Sequence, residues 1–342
     1  MKPTSRTTVT LLALAGALGL SAPALAQPAD FSVKTIRLYI GFGPGGGYDT
    51  YGRLVARHIG RHLPGNPAVV PQNMPGAASL TLANFLANTA PRDGTALAIL
   101  NQAMPTEQYL LDQNVNFDAQ KYNWIGRVSS AAEIMLVWHS VPVNRIEDVR
   151  TRETIMGGTG PASSLVMMPY LLNNLAGMKF KVIVGFNGTT EIGLAMERGE
   201  VEGSGTPLES LTSYRADWVR DKKIKLLLQY TAERDPEVAH IPTMVEMGQS
   251  EEARRILTLY ASGAEFGRSI TAPPGLPAAT VTALRRGFDA MLADPVFLAD
   301  MKKAGLPLKP WTGERLQQAV HDIGALTVPL VAKARAARAP PK

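Results

Sequence analysis

Four loops in this 342-residue chain combine glycine with small hydroxyl, amide or acid residues, the composition that binds small anions through backbone groups. They are Gly41-Phe42-Gly43-Pro44-Gly45-Gly46-Gly47 followed by Asp49, then residues 73–79, 158–164 and 186–190. Glycine removes the side chain, so backbone N–H groups can approach a ligand closely. Each loop is followed by a helical pattern, whose first turn offers unpaired N–H groups and about half a positive charge. That arrangement holds an anion without Lys or Arg, and none of the four loops contains a basic residue.

Gly41-x-Gly43-x-x-Gly46 formally matches a dinucleotide fingerprint, but Pro44 interrupts it. Asn73 also stands where an acid should end the second strand. No Lys-Ser/Thr pair follows the glycines, which excludes a Walker loop. A small carboxylate fits better than a nucleotide.

Catalytic constellations are poor. The chain has no cysteine, which excludes a thiol nucleophile, a disulfide framework and Cys-ligated metal. Its five histidines are His58, His62, His139, His240 and His321. His58 and His62 lie one helical turn apart, but the intervening residues lack the Glu of a zincin helix. Arg57 and Arg61 beside them indicate a solvated face. No Gly-x-Ser-x-Gly elbow occurs. A hydrolase using the same loops would depend on Asp49 and Glu202. No metal and no cofactor are expected.

The loops need a scaffold. Lys34–Ile40 reads as a strand. Tyr51, Leu54, Val55, Ile59 and Leu63 recur at helical spacing behind an Asp49-Thr50 cap. Ala68–Val70 is a second strand, Leu82, Phe85 and Leu86 mark a second helix, and Thr95–Leu100 is a third strand ending at Asn101-Gln102. This β-α-β-α-β order implies a parallel sheet with right-handed crossovers. The unit recurs at 154–158, 165–176, 181–186, 191–198 and 223–230. The expected fold is therefore α/β, with two doubly wound lobes and a cleft at the carboxyl ends of their strands. The first lobe takes residues 27–127 and 264–332, the second 128–263. Two crossings, near Val128 and over Ala264–Pro273, make a hinge. The region from Thr280 onward is expected to be helical, without strands of its own.

Residues 1–26 read as a secretory signal. Lys2 and Arg6 precede an apolar run over Val9–Leu20, and Ala24-Leu25-Ala26 fits a cleavage site. The mature chain would begin at Gln27 in a periplasm. The formal charge is +6. Lys2 and Arg6 supply part of it. Lys333, Arg335, Arg338 and Lys342 supply the rest, in a tail expected to be disordered. Residues 27–332 are thus formally neutral, which argues against nucleic acid as a partner.

At Gly45-Gly46-Gly47-Tyr48-Asp49 and Asn73-Met74-Pro75-Gly76-Ala77 the chain resembles the receptors of tripartite tricarboxylate transporters, the Bug-type periplasmic binding proteins. Further matches follow in order at Pro91–Gly94, Gly185–Gly188, Gly199–Gly203, Ile241–Gly248 and Ala272–Pro277. The resemblance spans nearly the whole mature chain. It implies a type II-like periplasmic binding protein, a monomer, that closes over a small carboxylate. It would deliver that ligand to a permease of one large and one small membrane subunit.

By motif position the first lobe would bind through Phe42, Pro44, Gly45, Gly46, Gly47 and Asp49, and through Gly76, Ala77, Ala78 and Ser79. Asn101 ends the third strand and joins this set. The second lobe would contribute Ser163, Ser164, Asn187, Glu202 and Thr206. Phe42, Tyr48 and Phe186 could stack on a planar ligand, though packing beneath the loops competes. The chain departs from the family at Gly41 and Gly43, where Pro and Pro or Ala are usual, and at Ala78-Ser79, where Gly-Gly is usual. Glu202 stands where Asp is common. A ligand sensor would share the same fold and cleft.

Overall fold

The computed structural model describes residues 30–340, except 33, 112, 162, 213, 214, 328 and 329. The expected signal segment lies outside the described residues. Strands β1 (Thr35–Ile40), β2 (Ala68–Asn73), β3 (Ala96–Ile99), β4 (Asn123–Arg127), β10 (Ser269–Ala272) and β11 (Trp311–Thr312) form one sheet. Strands β5 (Glu133–Trp138), β6 (Thr154–Gly157), β7 (Phe180–Ile183), β8 (Gly203–Pro207) and β9 (Ile224–Gln229) form the other. The helices of the first half are α1 (Gly47–Ile59), α2 (Leu80–Asn88), α3 (Met104–Leu110), α4 (Ser164–Ala176), α5 (Thr189–Glu197) and α6 (Leu208–Thr212). The rest are α7 (Ala216–Arg220), α8 (Glu251–Ala261), α9 (Ala278–Ala293), α10 (Pro295–Lys303), α11 (Gly313–Thr327) and α12 (Val331–Ala337).

The first sheet runs β11-β4-β10-β3-β1-β2, the second β7-β6-β8-β5-β9. The crossover units are parallel: β1 pairs β2 and β3, and β6 pairs β7 and β8. Strands entering from the hinge run the other way. β10 opposes β3 and β4, and β5 opposes β8 and β9. A chain that enters each lobe at the cleft must descend where the crossover strands rise, so both sheets are mixed. The region after Thr280 also supplies β11, a two-residue strand beside β4.

Helix α1 buries Tyr48, Tyr51, Leu54, Val55 and Ile59 against the first sheet. Helix α4 starts at a Ser163 cap, whose hydroxyl accepts the Leu165 N–H, and stops at Gly177, with φ +68°. Three apolar clusters result. One lies on the α1, α9 and α10 side of the first lobe. Another lies within the second lobe. The third runs continuously from Leu82 and Trp124 in the first lobe to Met135 and Leu171 in the second. The lobes therefore share apolar core.

Two expectations are corrected here. His58 is 2% exposed, not solvated, and bonds Asp300 of α10 through Nε2 at 2.9 Å. His62 bonds Asp294 in the same way. His58 ties α1 to α10 and His62, just beyond α1, ties to Asp294 at the cap of α10, and no metal-binding group of acids and histidines occurs among the described residues. The tail is ordered as far as it is described. Asn174 of α4 donates to the carbonyls of Ala337 and Ala339, and Tyr260 donates to that of Ala334. Arg335 donates to the carbonyl of Tyr109. Ala334 and Ala337 are buried, so α12 is a packed element lying on both lobes. No described helix is long and apolar enough to cross a membrane.

Candidate functional site

The two hinge crossings are bonded to each other. Val128 N–H donates to the Arg268 carbonyl at 2.9 Å, Arg268 N–H to Ser129 at 2.8 Å, and Ala131 N–H to Ala264 at 3.0 Å. Arg268 is thus backbone-locked in the hinge, and its side chain is fully buried. The guanidinium donates to Glu209 of α6 at 2.7 Å. It lies over the Tyr48 ring at 4.3 Å from the centroid, a cation–π contact with the first lobe. One cation therefore joins both lobes.

A cavity opens beside it. Its walls are Phe42, Gly43, Gly46, Gly47, Tyr48, Asn101 and Arg268 on one side. Glu133, Thr159, Ser163, Ser164, Leu165, Gly188, Thr189 and Pro207 form the other. Three helix starts converge here: Gly46-Gly47 of α1, Ser163-Ser164 of α4 and Gly188-Thr189 of α5. The first comes from one lobe and the other two from the opposite lobe. Phe42 and Tyr48 stack on each other at 4.5 Å. Burial pushes the Tyr48 phenol up to about 12, so it stays protonated, and its oxygen accepts the Gln102 N–H. Burial likewise pushes Glu133 up to about 7, against the Ser164 hydroxyl and Arg268, which favour the charged form.

The free space is about 40 Å³, room for only a few waters. The lobes are in contact around it. Gly43 N–H donates to the Asn187 carbonyl at 3.3 Å. Gly160 lies flat on the opposite loop, where a Cβ would come within 3.0 Å of Ala77 and Ala78 backbone. Ligand access therefore requires the lobes to part.

The structure brings Phe42, Gly46, Gly47, Asn101, Ser163 and Ser164 to the cavity wall. Other candidates sit elsewhere. Pro44 and Gly45 are exposed at the tip of the first loop, where a Cβ on Gly45 would lie 3.4 Å from the Thr190 hydroxyl of the other lobe. Asp49 anchors that loop by accepting from Gly45 N–H, Arg53 and Asn73. Burial opposes its charge, but these three donors still bring its pKa below the usual value. Gly76, Ala77, Ala78 and Ser79 form the floor on which Gly160 rests. Asn187 contributes an inter-lobe carbonyl. Thr206 lines a separate crevice with Arg215 and Trp218. Glu202 precedes β8, whose far end, Pro207, reaches the cavity. Its carboxylate is committed to Arg152 and the Ile155 N–H, so it is corrected from cleft acid to structural ion pair. Phe186 is half-buried against the second-lobe cluster.

Ala77, Ala78 and Ser79 all hold positive φ, at 45°, 55° and 81°. This region costs a non-glycine residue about 1–3 kcal/mol, so glycine would be the less strained residue at 78 and 79. Ser79 Oγ occupies the space a side chain on Gly41 would need, 1.8 Å from its would-be Cβ. The two departures are therefore coupled. Gly41→Ala is expected to cost about 1–3 kcal/mol by overpacking. In a Ser79→Gly background the same change should cost less than half as much, as read from urea midpoints. Equal costs in both backgrounds would show the sites to be independent.

Arg268, Glu133 and Pro207 line the cavity without having been candidates, and Thr159, Gly188 and Thr189 do so from within the 158–164 and 186–190 loops. For Arg268 and Glu133 the available signal was a charge at the edge of an apolar strand, in Gly267-Arg268-Ser269-Ile270 and in Glu133-Ile134-Met135-Leu136. The expectation of a cavity without a basic residue is corrected by Arg268.

Residues 52–323 match the family model described as tripartite tricarboxylate transporter family receptor. The chain belongs to that family. A relative from Cupriavidus necator, the UPF0065 protein in the gbd 5' region, is 29% identical over 246 residues, 70% of this chain and 72% of the relative. Among solved structures, the periplasmic binding protein BugD superposes with a TM-score of 0.70 at 21% identity, covering 88% of this chain and 97% of that one. The R. palustris protein Rpa4515, described with adipate, superposes with a TM-score of 0.69 at 20% identity, covering 90% and 99%. These similarities establish the two-lobed binding-protein fold. As a receptor of this family, the chain is a solute-binding protein.

Proposed function

We propose that this receptor works outside the cytoplasm, captures a small carboxylate by closing its lobes over it, and presents it to a permease of one large and one small membrane subunit. One observation carries the ligand class: three helix starts from two lobes meet a buried guanidinium around one cavity. Each partial positive charge favours an anion, and both lobes contribute. A ligand carboxylate bridging them stabilises the closed state over the open one, which is all that capture needs. The relative described with adipate supports the class. The signal segment expected to be cleaved after Ala26 supports a periplasmic location. No covalent step is assigned, because Asp49 and Glu202, the acids a hydrolase was expected to use, stand apart and are held by Arg53 and Arg152.

Thermal melting tests this reading. A ligand at a hundred times its Kd adds about 2.7 kcal/mol to stability, a rise of several degrees. At least one acid from a panel of mono-, di- and tricarboxylates and aromatic acids should produce it, and matched amides should not. A panel without any shift would remove the carboxylate assignment.

A further inference from the structure

We propose that Glu133 determines which acids the cleft accepts by taking a hydrogen-bond donor on the ligand, an ammonium or a hydroxyl. Amino or hydroxy acids would then be preferred over the plain acid of the same skeleton. The inference rests on the carboxylate-receptor reading and adds a second recognition point to it.

Glu133 opens β5 directly after the hinge, is 5% exposed and lines the cavity. Its Oε1 accepts from the Gln102 side chain of the other lobe at 3.3 Å. Its Oε2 is sealed from solvent and makes no hydrogen bond of normal geometry. Gln102 Oε1 and Thr159 Oγ1 are in the same condition. The ionised carboxylate and the amide oxygen only accept, and buried acceptors are rarely left without donors. Helix starts and Arg268 provide for the ligand's carboxylate, so they cannot use these oxygens. A second ligand group that donates can.

Several polar groups face Glu133 without making a geometric hydrogen bond to its Oε2. Tyr48 comes from α1, Gln102 from the end of β3, Ser164 from α4, Glu209 from α6, Tyr230 from beyond β9, and Arg268 from the hinge. Burial and Glu209 favour the neutral acid, Ser164 and Arg268 the carboxylate. A bound ammonium or hydroxyl would complete the charged form. A plain acid would leave Oε2 with only the Ser164 hydroxyl and the Arg268 charge beside it, whereas a donating ligand group adds a direct hydrogen bond, and sites built for such a bond reject analogues that lack it strongly.

The test is calorimetric titration of the full mature chain at pH 7.5 with two matched triples: aspartate, malate and succinate, then phenylalanine, phenyllactate and 3-phenylpropionate. In a triple that binds, the amino or hydroxy member should bind at least about tenfold tighter than the plain acid. The stronger of those two arms identifies the donor. Glu133→Gln, which keeps the shape but adds an N–H donor, should bring the ratio below threefold. A plain acid that binds as tightly, or a ratio unchanged in Glu133→Gln, overturns this inference alone. If no acid of either triple binds but a panel acid raises melting, the same comparison on that acid's skeleton decides, and a panel without any shift takes the carboxylate reading down with it. The wild-type ratios decide the matter even where the variant does not fold.

Discussion

Arg268→Met is expected to abolish ligand-induced stabilisation and to lower the unfolding free energy by about 3–5 kcal/mol. The guanidinium is fully buried, and its partner Glu209 is 5% exposed. Methionine fills similar volume without charge, so Glu209 keeps its burial but loses the guanidinium. Breaking one half of a buried pair costs more than the pair contributes, because the surviving charge remains desolvated. Arg268 also lies over Tyr48 and hangs from the hinge backbone, so its loss should loosen closure. Urea unfolding reads the stability, and thermal shift with a binding acid reads the site. The double variant Arg268→Met with Glu209→Gln should recover most of the stability and none of the binding. Recovery of binding as well would show that Arg268 serves only the fold.

The second large effect is expected at the C-terminus, and it depends on pH. Glu107 of α3 is fully buried and pairs with Arg338 just after α12 at 2.8 Å. Arg338 also donates to the Pro161 carbonyl in the other lobe. Burial raises Glu107 from 4.5 to about 7, although Arg338 pulls it down. A raised carboxyl adds stability that is complete below about pH 4.5 and is lost as pH climbs through about 7. Without Arg338 the folded pKa rises further, and ionised Glu107 has no guanidinium beside it. Arg338→Ala should therefore cost little at pH 5 and about 3–5 kcal/mol at pH 8. Adding Glu107→Gln should flatten that difference. A cost independent of pH would mean that α12 matters through packing alone. Scattering curves should also show the variant more open, since a contact spanning both lobes is gone.

These two residues also mark the limit of reading the chain alone. Strand β1, its glycine loop and helix α1 were legible because their signals are local. Alternation sets the strand, i and i+3 or i+4 spacing sets the helix, and glycine permits the turn between them. The second such unit, around Ser163-Ser164, was legible in the same way. The tail was misread because four basic residues among Ala and Pro look solvated when their partners are out of view. Arg338 finds Glu107 231 residues away. His58 and His62 were misread likewise, since Asp300 and Asp294 arrive on α10, from 242 and 232 residues away.

By itself the sequence determined the α/β order and the loops that open helices, because backbone sterics and hydrophobic periodicity act over a few residues. It also determined family membership through motif order. Only the tertiary structure decided what stands in the cleft. Arg268 and Glu209 are 59 residues apart, and Gln102 and Glu133 are 31 apart. They meet because two sheets share a hinge, and no local signal encodes that meeting. The charge that matters is therefore neither the +6 of the whole chain nor the neutrality of its body. It is one guanidinium held out of water between two lobes, where low dielectric makes a single charge count far more than many at the surface.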